Sequence, residues 1–226
     1  MVIASREAGA GALSWRALEP PDLEAVHDLH LAATEAVGRP DLIRPETRAF
    51  FAALLAGGGW ICGVFDAQGL LAYGVLQWDL PAVEDLRPLF GLAVDAPFAK
   101  LAGASVRPGD WGSGLHEALI ARRVEEARSR GLDHLYATSA PGNARSWENL
   151  LNQGFAVRAL IEQYGGSLRF VVYRDIASPV PEIADGDWCD VADIAGQRRL
   201  IEAGRAGVAR RRTADGRREI FWVKRS

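Results

Sequence analysis

Residues 106–131 read VRPGDWGSGLHEALIARRVEEARSRG. Three glycines, Gly109, Gly112 and Gly114, fall within six positions and run straight into a helical pattern. Glycine loses more conformational freedom on folding than any other residue, so this cluster marks a place where the backbone must turn sharply or something must approach it closely. The preceding stretch, FAKLAGASV (98–106), reads as a buried strand. A strand, a glycine turn and a helix in succession place the unpaired N–H groups of a helix start around Gly112–Glu117, bare of side chains. Those donors and the partial positive charge of the helix end favour phosphate. The stretch is therefore a candidate pyrophosphate cradle, and a ligand-free strand–helix turn is the alternative.

Two common phosphate motifs do not fit. A P-loop needs lysine and Ser/Thr after its last glycine, and Leu115 and His116 stand there. A dinucleotide fingerprint needs a third glycine, which GSGLHE lacks.

At 226 residues, 49% hydrophobic and 24% charged, the chain is long enough for a full core and has the balance of a soluble globular protein. A net charge of −3 gives no global attraction to nucleic acid or to anionic membranes. Only Cys62 and Cys189 are present, too few for a disulfide framework, and both read as reduced thiols with no nucleophilic setting. His27 and His30 lie one helical turn apart without a clustering third ligand, so no metal site is expected. The start MVIASREAGAGALSW has no basic-then-apolar leader, and no run reaches membrane-span length, so a cytoplasmic protein is expected.

Along the chain, LSWRAL (13–18) reads as a strand, 20–37 and 46–56 as helices separated by the break GRPDLIRP, and 60–66 with 70–78 as a hairpin turning at DAQG. Residues 79–97 form a long connection with three prolines, and long connections are often functional. HLYATSA (134–140) is a strand, 143–154 a helix and 167–176 a further strand. Residues 1–176 are taken as one domain and 177–226 as an extension: a linker (178–187), one short helix, and a hairpin turning at Asp215-Gly216. From Arg198 onward ten basic residues face three acidic ones. A solvated face is preferred to nucleic-acid binding, because no aromatic platform accompanies the arginines. The apolar strand EIFWVK (219–224) is expected to pair within the chain or at a homodimer interface.

The frame V-x-P, W-G-x-G-L, a helix to R-G, a strand, an asparagine and a terminal G-F resembles the GCN5-related N-acetyltransferase (GNAT) superfamily over residues 13–176, most closely over 98–155. The family pattern Gln/Arg-x-x-Gly-x-Gly/Ala falls on Trp111, Gly112, Ser113, Gly114, Leu115 and His116; Trp111 replaces Gln/Arg and His116 replaces the small residue. The resemblance implies an α/β fold, a mixed and mostly antiparallel sheet flanked by helices. The strand ending at Val106 and the one holding Tyr136–Thr138 would splay apart around acetyl-CoA or another acyl-CoA, with no metal. Ala104, Ser105 and Val106 would pair with its pantetheine arm, Gly112–Glu117 (Gly112, Ser113, Gly114, Leu115, His116, Glu117) would hold the pyrophosphate, and Trp111 and Asn143 would add contacts. A main-chain N–H near Val106 would stabilise the oxyanion as an amine of a small molecule or peptide attacks the thioester.

Members that acetylate amino termini carry a glutamate base and a tyrosine acid where this chain has Thr138 and Leu150. Candidates for the proton chemistry come instead from the acidic connection, where Asp79, Glu84, Asp85 and Asp95 outnumber Arg87; Glu84 and Asp85 are the named pair. Tyr136, Ser139 and Tyr164 are further donor candidates. A non-catalytic acyl-CoA-binding module, using the C-terminal segment as a partner surface, is the second reading.

Overall fold

The computed structural model describes residues 12–179 and 185–225. Residues 1–11, read above for a leader, and residues 180–184 of the expected linker lie outside the described residues. The chain opens with β1 (Ser14–Ala17), α1 (Leu23–Val37) and α2 (Arg48–Ala53). The hairpin β2 (Gly59–Asp66) and β3 (Gly69–Gln77) follows, and then β4 (Phe98–Val106). Next come α3 (Leu115–Ser129), β5 (His134–Ser139) and α4 (Ala144–Asn152). A second hairpin joins β6 (Ala156–Gln163) to β7 (Ser167–Asp175). The last elements are β8 (Gly186–Asp190), α5 (Ile194–Glu202), β9 (Arg205–Arg212) and β10 (Arg218–Lys224).

All ten strands join one sheet in the order β1-β2-β3-β4-β5-β7-β6-β9-β10-β8. Every neighbouring pair is antiparallel except β4 with β5. The expected mixed, mostly antiparallel α/β fold is thus the one observed. Helix α1 ends where Gly38 adopts φ 61°, which satisfies the last turn through a bond to Thr34. Helix α2 is shorter than expected. It passes into a wider turn at Leu54–Gly58, ended by Gly57 at φ 115°.

Two strands went unread in the sequence. In β6, a register shift between Val157 and Ala159 interrupts the two-residue alternation that identifies a half-buried strand. Gly186–Asp190 spans the end of the expected linker (178–187) and the start of the segment read as one short helix, but pairs along β10.

EIFWVK is not a free edge. β10 lies between β9 and β8, with Ile220 and Trp222 fully buried in the same core as Trp147, Leu151 and Phe170. The join of β9 to β6 runs through Gly207 opposite Val157. A Cβ on Gly207 would meet Ile220 at 2.6 Å, so only glycine permits the approach. The tail arginines are largely paired: Arg210 and Arg218 reach Glu148, Arg211 reaches Glu219, and Arg217 reaches Asp215 and Asp190. No helix among the described residues is long and apolar enough to cross a membrane.

Because Trp222 contributes to the main core, Trp222→Ala is expected to lower unfolding stability by about 3–5 kcal/mol. Chemical denaturation should show one transition moved to lower denaturant; a loss below 1 kcal/mol, or a separate early transition, would mean the C-terminal strands are energetically independent.

Candidate active site

The site originates where one strand ladder of the sheet ends early. β5 is bound to β7 along its whole length, His134–Ser139 against Asp175–Phe170. β4 follows β3 on its other side, through a bulge where Gly74 opposes Ala104 but Leu76 opposes Leu101. β4 and β5 therefore share only three register pairs, Phe98–Lys100 with His134–Tyr136, and then separate. From Leu101 onward the β5-facing edge of β4 has no strand partner. A cleft of about 550 Å³ opens there, within the usual range for a ligand site.

One end of the cleft is built for anions. Gly112 and Gly114 adopt φ 87° and 82°, the left-handed region that side chains resist, and the space where a Cβ would sit is open at both. Gly114 caps α3 with no side chain, and the first helical bond is Ala118 N–H to Gly114 O. The N–H groups of Leu115, His116 and Glu117 thus have no intrahelical partner. The Trp111 indole N–H donates to Val106 O at 2.8 Å and ties the turn to the strand. The start of α4 also lines the cleft. Asn143 is its N-cap, yet its side chain makes no capping bond. Arg145, over the Trp111 ring at 5.5 Å, and Arg210 add positive charge.

The floor carries a buried polar chain. The Glu46 N–H donates to His30 Nε2 at 2.7 Å, so the other ring nitrogen, Nδ1, holds the proton and donates to Tyr73 Oη at 2.7 Å. Ser105 Oγ donates to the same Tyr73 oxygen at 3.3 Å. Burial pushes the His30 pKa down to about 4, keeping the ring neutral, and pushes the Tyr73 hydroxyl up. Burial, with some help from Arg123, also brings His116 down to about 4; its Nδ1 accepts from the Asn149 amide at 2.9 Å. Arg123 is buried beneath Gly74 and donates to the carbonyls of Leu119 and Val75. Burial lowers its pKa to about 10, so it remains a cation.

Ala104, Ser105, Val106, Trp111 through Glu117, and Asn143 all line the cleft, as do Thr138, Leu150, Ser139 and Tyr164. Glu84 and Asp85 do not. Glu84 pairs with Lys100 at 2.9 Å and Asp85 with Arg87 at 2.7 Å. The acidic connection also folds onto the protein through Leu80, Leu86, Phe90 and Leu92, which cover Phe98, Tyr136 and Tyr173. The Tyr136 hydroxyl donates to Glu84 O at 2.5 Å and is likewise engaged.

Asp110 and Glu117 line the cleft at the cradle end, and the carboxylate that lines it elsewhere is Glu46. It lies in the break between α1 and α2, and burial raises its pKa, opposed by Lys100 and Arg44. The sequence offered only the break itself as a signal. Trp147 is a packing residue, fully buried against Phe170. Cys62 is buried, its thiol pushed up to about 11, which removes it as a nucleophile. No cluster of metal-ligating side chains occurs among the described residues.

No family model and no curated protein matches the sequence. Solved structures do match its fold. The ribosomal-protein-S18-alanine N-acetyltransferase of Escherichia coli superposes with a TM-score of 0.57 at 16% identity, covering 77% of this chain and 100% of its own. A GNAT superfamily phosphinothricin acetyltransferase from Sinorhizobium meliloti, in complex with acetyl-CoA, gives 0.56 at 14%, covering 75% and 94%. A spermidine N-acetyltransferase chimera from Vibrio cholerae gives 0.52 at 18%, covering 73% and 96%. The chain has the GNAT fold.

His30 supplies a pH test. Above pH 6.5 it is neutral in both folded and unfolded states. As pH falls from 6.5 toward the folded value of about 4, the unfolded chain takes up a proton that the folded one refuses, so stability falls. By pH 4.5 this amounts to about 2–3 kcal/mol. Denaturation of wild type and His30→Gln at pH 7.5 and 4.5 should show the variant losing less stability on acidification by that amount; equal losses would mean His30 is not held neutral.

Proposed function

We propose that the protein is an acetyl-CoA-dependent N-acetyltransferase that acts on a primary amine. The observation that carries this reading is the cleft between β4 and β5, open to the bare N–H groups of α3 at one end and to a half-buried carboxylate, Glu46, at the other. The fold shared with acetyltransferases supports it.

The free edge of β4 at Ala104, Ser105 and Val106 takes the amide groups of the pantetheine arm as an added strand. Gly112 through Glu117 hold the pyrophosphate with backbone N–H groups, and Asn143, free of any capping bond, contacts the same substrate. Arg145 and Arg210 complement its remaining negative charge. Acetyl-CoA supplies an acyl thioester of high transfer potential. The amine nitrogen attacks the carbonyl carbon, the C–N bond forms and the C–S bond breaks. Backbone donors at the Leu101–Ala104 bulge, where β4 leaves its ladder with β3, stabilise the developing oxyanion. The Val106 N–H is a further donor on the same edge, since its neighbour Arg107 bonds Leu71 toward β3 and successive N–H groups of a strand point to opposite sides.

Glu46 takes the proton released by the amine, and the departing thiolate takes one from water in the open cleft. A carboxylate whose pKa is raised by burial is a better proton acceptor than an exposed one. Thr138 and Leu150 line the cleft without a group able to exchange protons near neutral pH, so the task passes to a different element.

Calorimetric titration with acetyl-CoA should show binding by wild type and none by folded Gly114→Trp, whose side chain fills the cradle. With a panel of primary amines, wild type should release free thiol, and Glu46→Gln should lower kcat by roughly 10²-fold or more and remove the acid limb of the pH profile. Binding without thiol release from any amine would favour the acyl-CoA-binding module, which the absence of acid and base at positions 138 and 150 also suits. No binding by folded wild type would overturn both readings.

A further inference from the structure

One side of the cleft holds charge that the acetyl-transfer chemistry does not use. Arg169 on β7 is 4% exposed, and its Nη1 donates to the carbonyls of Asp41 and Leu168 at 3.0 and 2.9 Å. Its Nε and Nη2 have no hydrogen-bond partner among the described residues, and it lines the cleft. Asp41, whose carbonyl it holds, has its carboxylate engaged by Arg39 at 2.7 Å. Arg44, in the same break as Glu46, also lines the cleft and has no ion-pair partner among the described residues. Both guanidiniums stack on one ring, Tyr164, at 5.0 and 5.6 Å from its centroid. Tyr164 is the one non-glycine residue at positive φ among the described residues, at 53°, so the turn between β6 and β7 holds its ring there against a steric preference.

This cluster lies on the β7 side of the cleft, across β5 from the wall of β4 and α3 that carries the phosphate cradle; Arg169 adjoins Phe170, the partner of Ser139 at the end of β5. Glu46 feels the charges of Lys100, Glu84 and Arg44, and Lys100 stands opposite Tyr136 at the closed start of the cleft. The cradle begins beyond Val106, six residues further along β4 than Lys100 and about 20 Å from that closed start. Lys100 itself is matched by Glu84. What remains on this side is one carboxylate, Glu46, near Arg44, and two guanidiniums that form no ion pair of their own, the exposed Arg44 and the buried Arg169, whose nearby Asp41 carboxylate is taken by Arg39. Burying the Arg169 guanidinium without an ion pair is costly, and the planar fork of either arginine fits a carboxylate. We infer that the acceptor is a zwitterionic amino carboxylate, its carboxylate held by Arg169 and Arg44 beside Tyr164 and its amine turned toward Glu46. This rests on the acetyl-transfer reading and names the acceptor class for it.

The test uses the full chain, saturating acetyl-CoA, and matched acceptors: glycine, β-alanine and L-methionine against glycinamide, β-alaninamide and L-methioninamide. Thiol release should show kcat/KM higher for at least one acid than for its amide by roughly ten- to a hundredfold, the value of a charge-assisted pair. Arg169→Gln should bring that ratio near one while acetyl-CoA affinity, read by calorimetry, is unchanged. Arg44→Gln, an exposed-loop change that leaves the core intact, should reduce the ratio if Arg169→Gln does not fold. Amides used as well as acids would overturn the inference. So would variants that lose acetyl-CoA affinity and keep the acid preference, which would assign the guanidiniums to the cofactor's phosphates. If acetyl-CoA binds and no amine reacts, the acetyl-transfer reading fails by itself, and calorimetry of the CoA-loaded protein with N-acetylglycine against N-acetylglycinamide decides the subsite: acid-specific binding supports it, and no preference overturns it.

Discussion

The structure depends on a backbone constraint: β4 stays in its ladder with β3 and β5 in its ladder with β7, so the two halves of the sheet diverge between β4 and β5. The antiparallel ladder of β5 with β7 is complete, whereas its parallel ladder with β4 ends after three residues. Antiparallel pairing is somewhat the stronger per residue, and here it continues where the parallel ladder stops. Once β4 and β5 separate, a row of backbone donors and acceptors on β4 is left for something other than a strand. The cleft, the exposure of Ser105 and Ala104 to it, and the convergence of the α3 and α4 N-termini all follow from that separation.

Charge is distributed around this cleft by elimination. The arginines of the C-terminal hairpin pair with Glu148, Glu219, Asp190 and Asp215, and the acidic connection pairs with Lys100 and Arg87. Most exposed pairs of this kind add little stability. Their consequence is that few full charges remain uncommitted inside the cleft, chiefly Glu46, Arg44, Arg145 and Arg169. His30, Tyr73 and Ser105 form a neutral network beneath them that positions Glu46 through its own N–H.

Much of this was legible in the chain because it is local. A glycine at φ near 85° is demanded by the turn at its own position, and the apolar run FAKLAGASV and the three-to-four spacing of α3 need no distant partner. Glu84 and Asp85 stood out because they lie in a long acidic connection, and only packing shows Leu86 and Phe90 covering Tyr173 there while the two carboxylates pair with Lys100 and Arg87. Glu46 gave no signal, since its surroundings come from His30 on α1 and Arg44, and from β4 across the cleft. β6 was hidden by its bulge, and β8 by straddling the expected linker and the segment read as one short helix.

The sequence alone therefore determined most of the elements, the glycine turn and the resemblance to an acyl-CoA-binding fold, because φ/ψ preference and hydrophobic period act over a few residues. The tertiary structure decided which carboxylate faces the cleft, which arginines are left without counter-ions, and that the C-terminal strands extend the sheet. Those outcomes depend on contacts between residues as far apart as Asp41 and Arg169 or Val157 and Gly207, and burial and ion pairing are properties of such contacts, not of any stretch of chain.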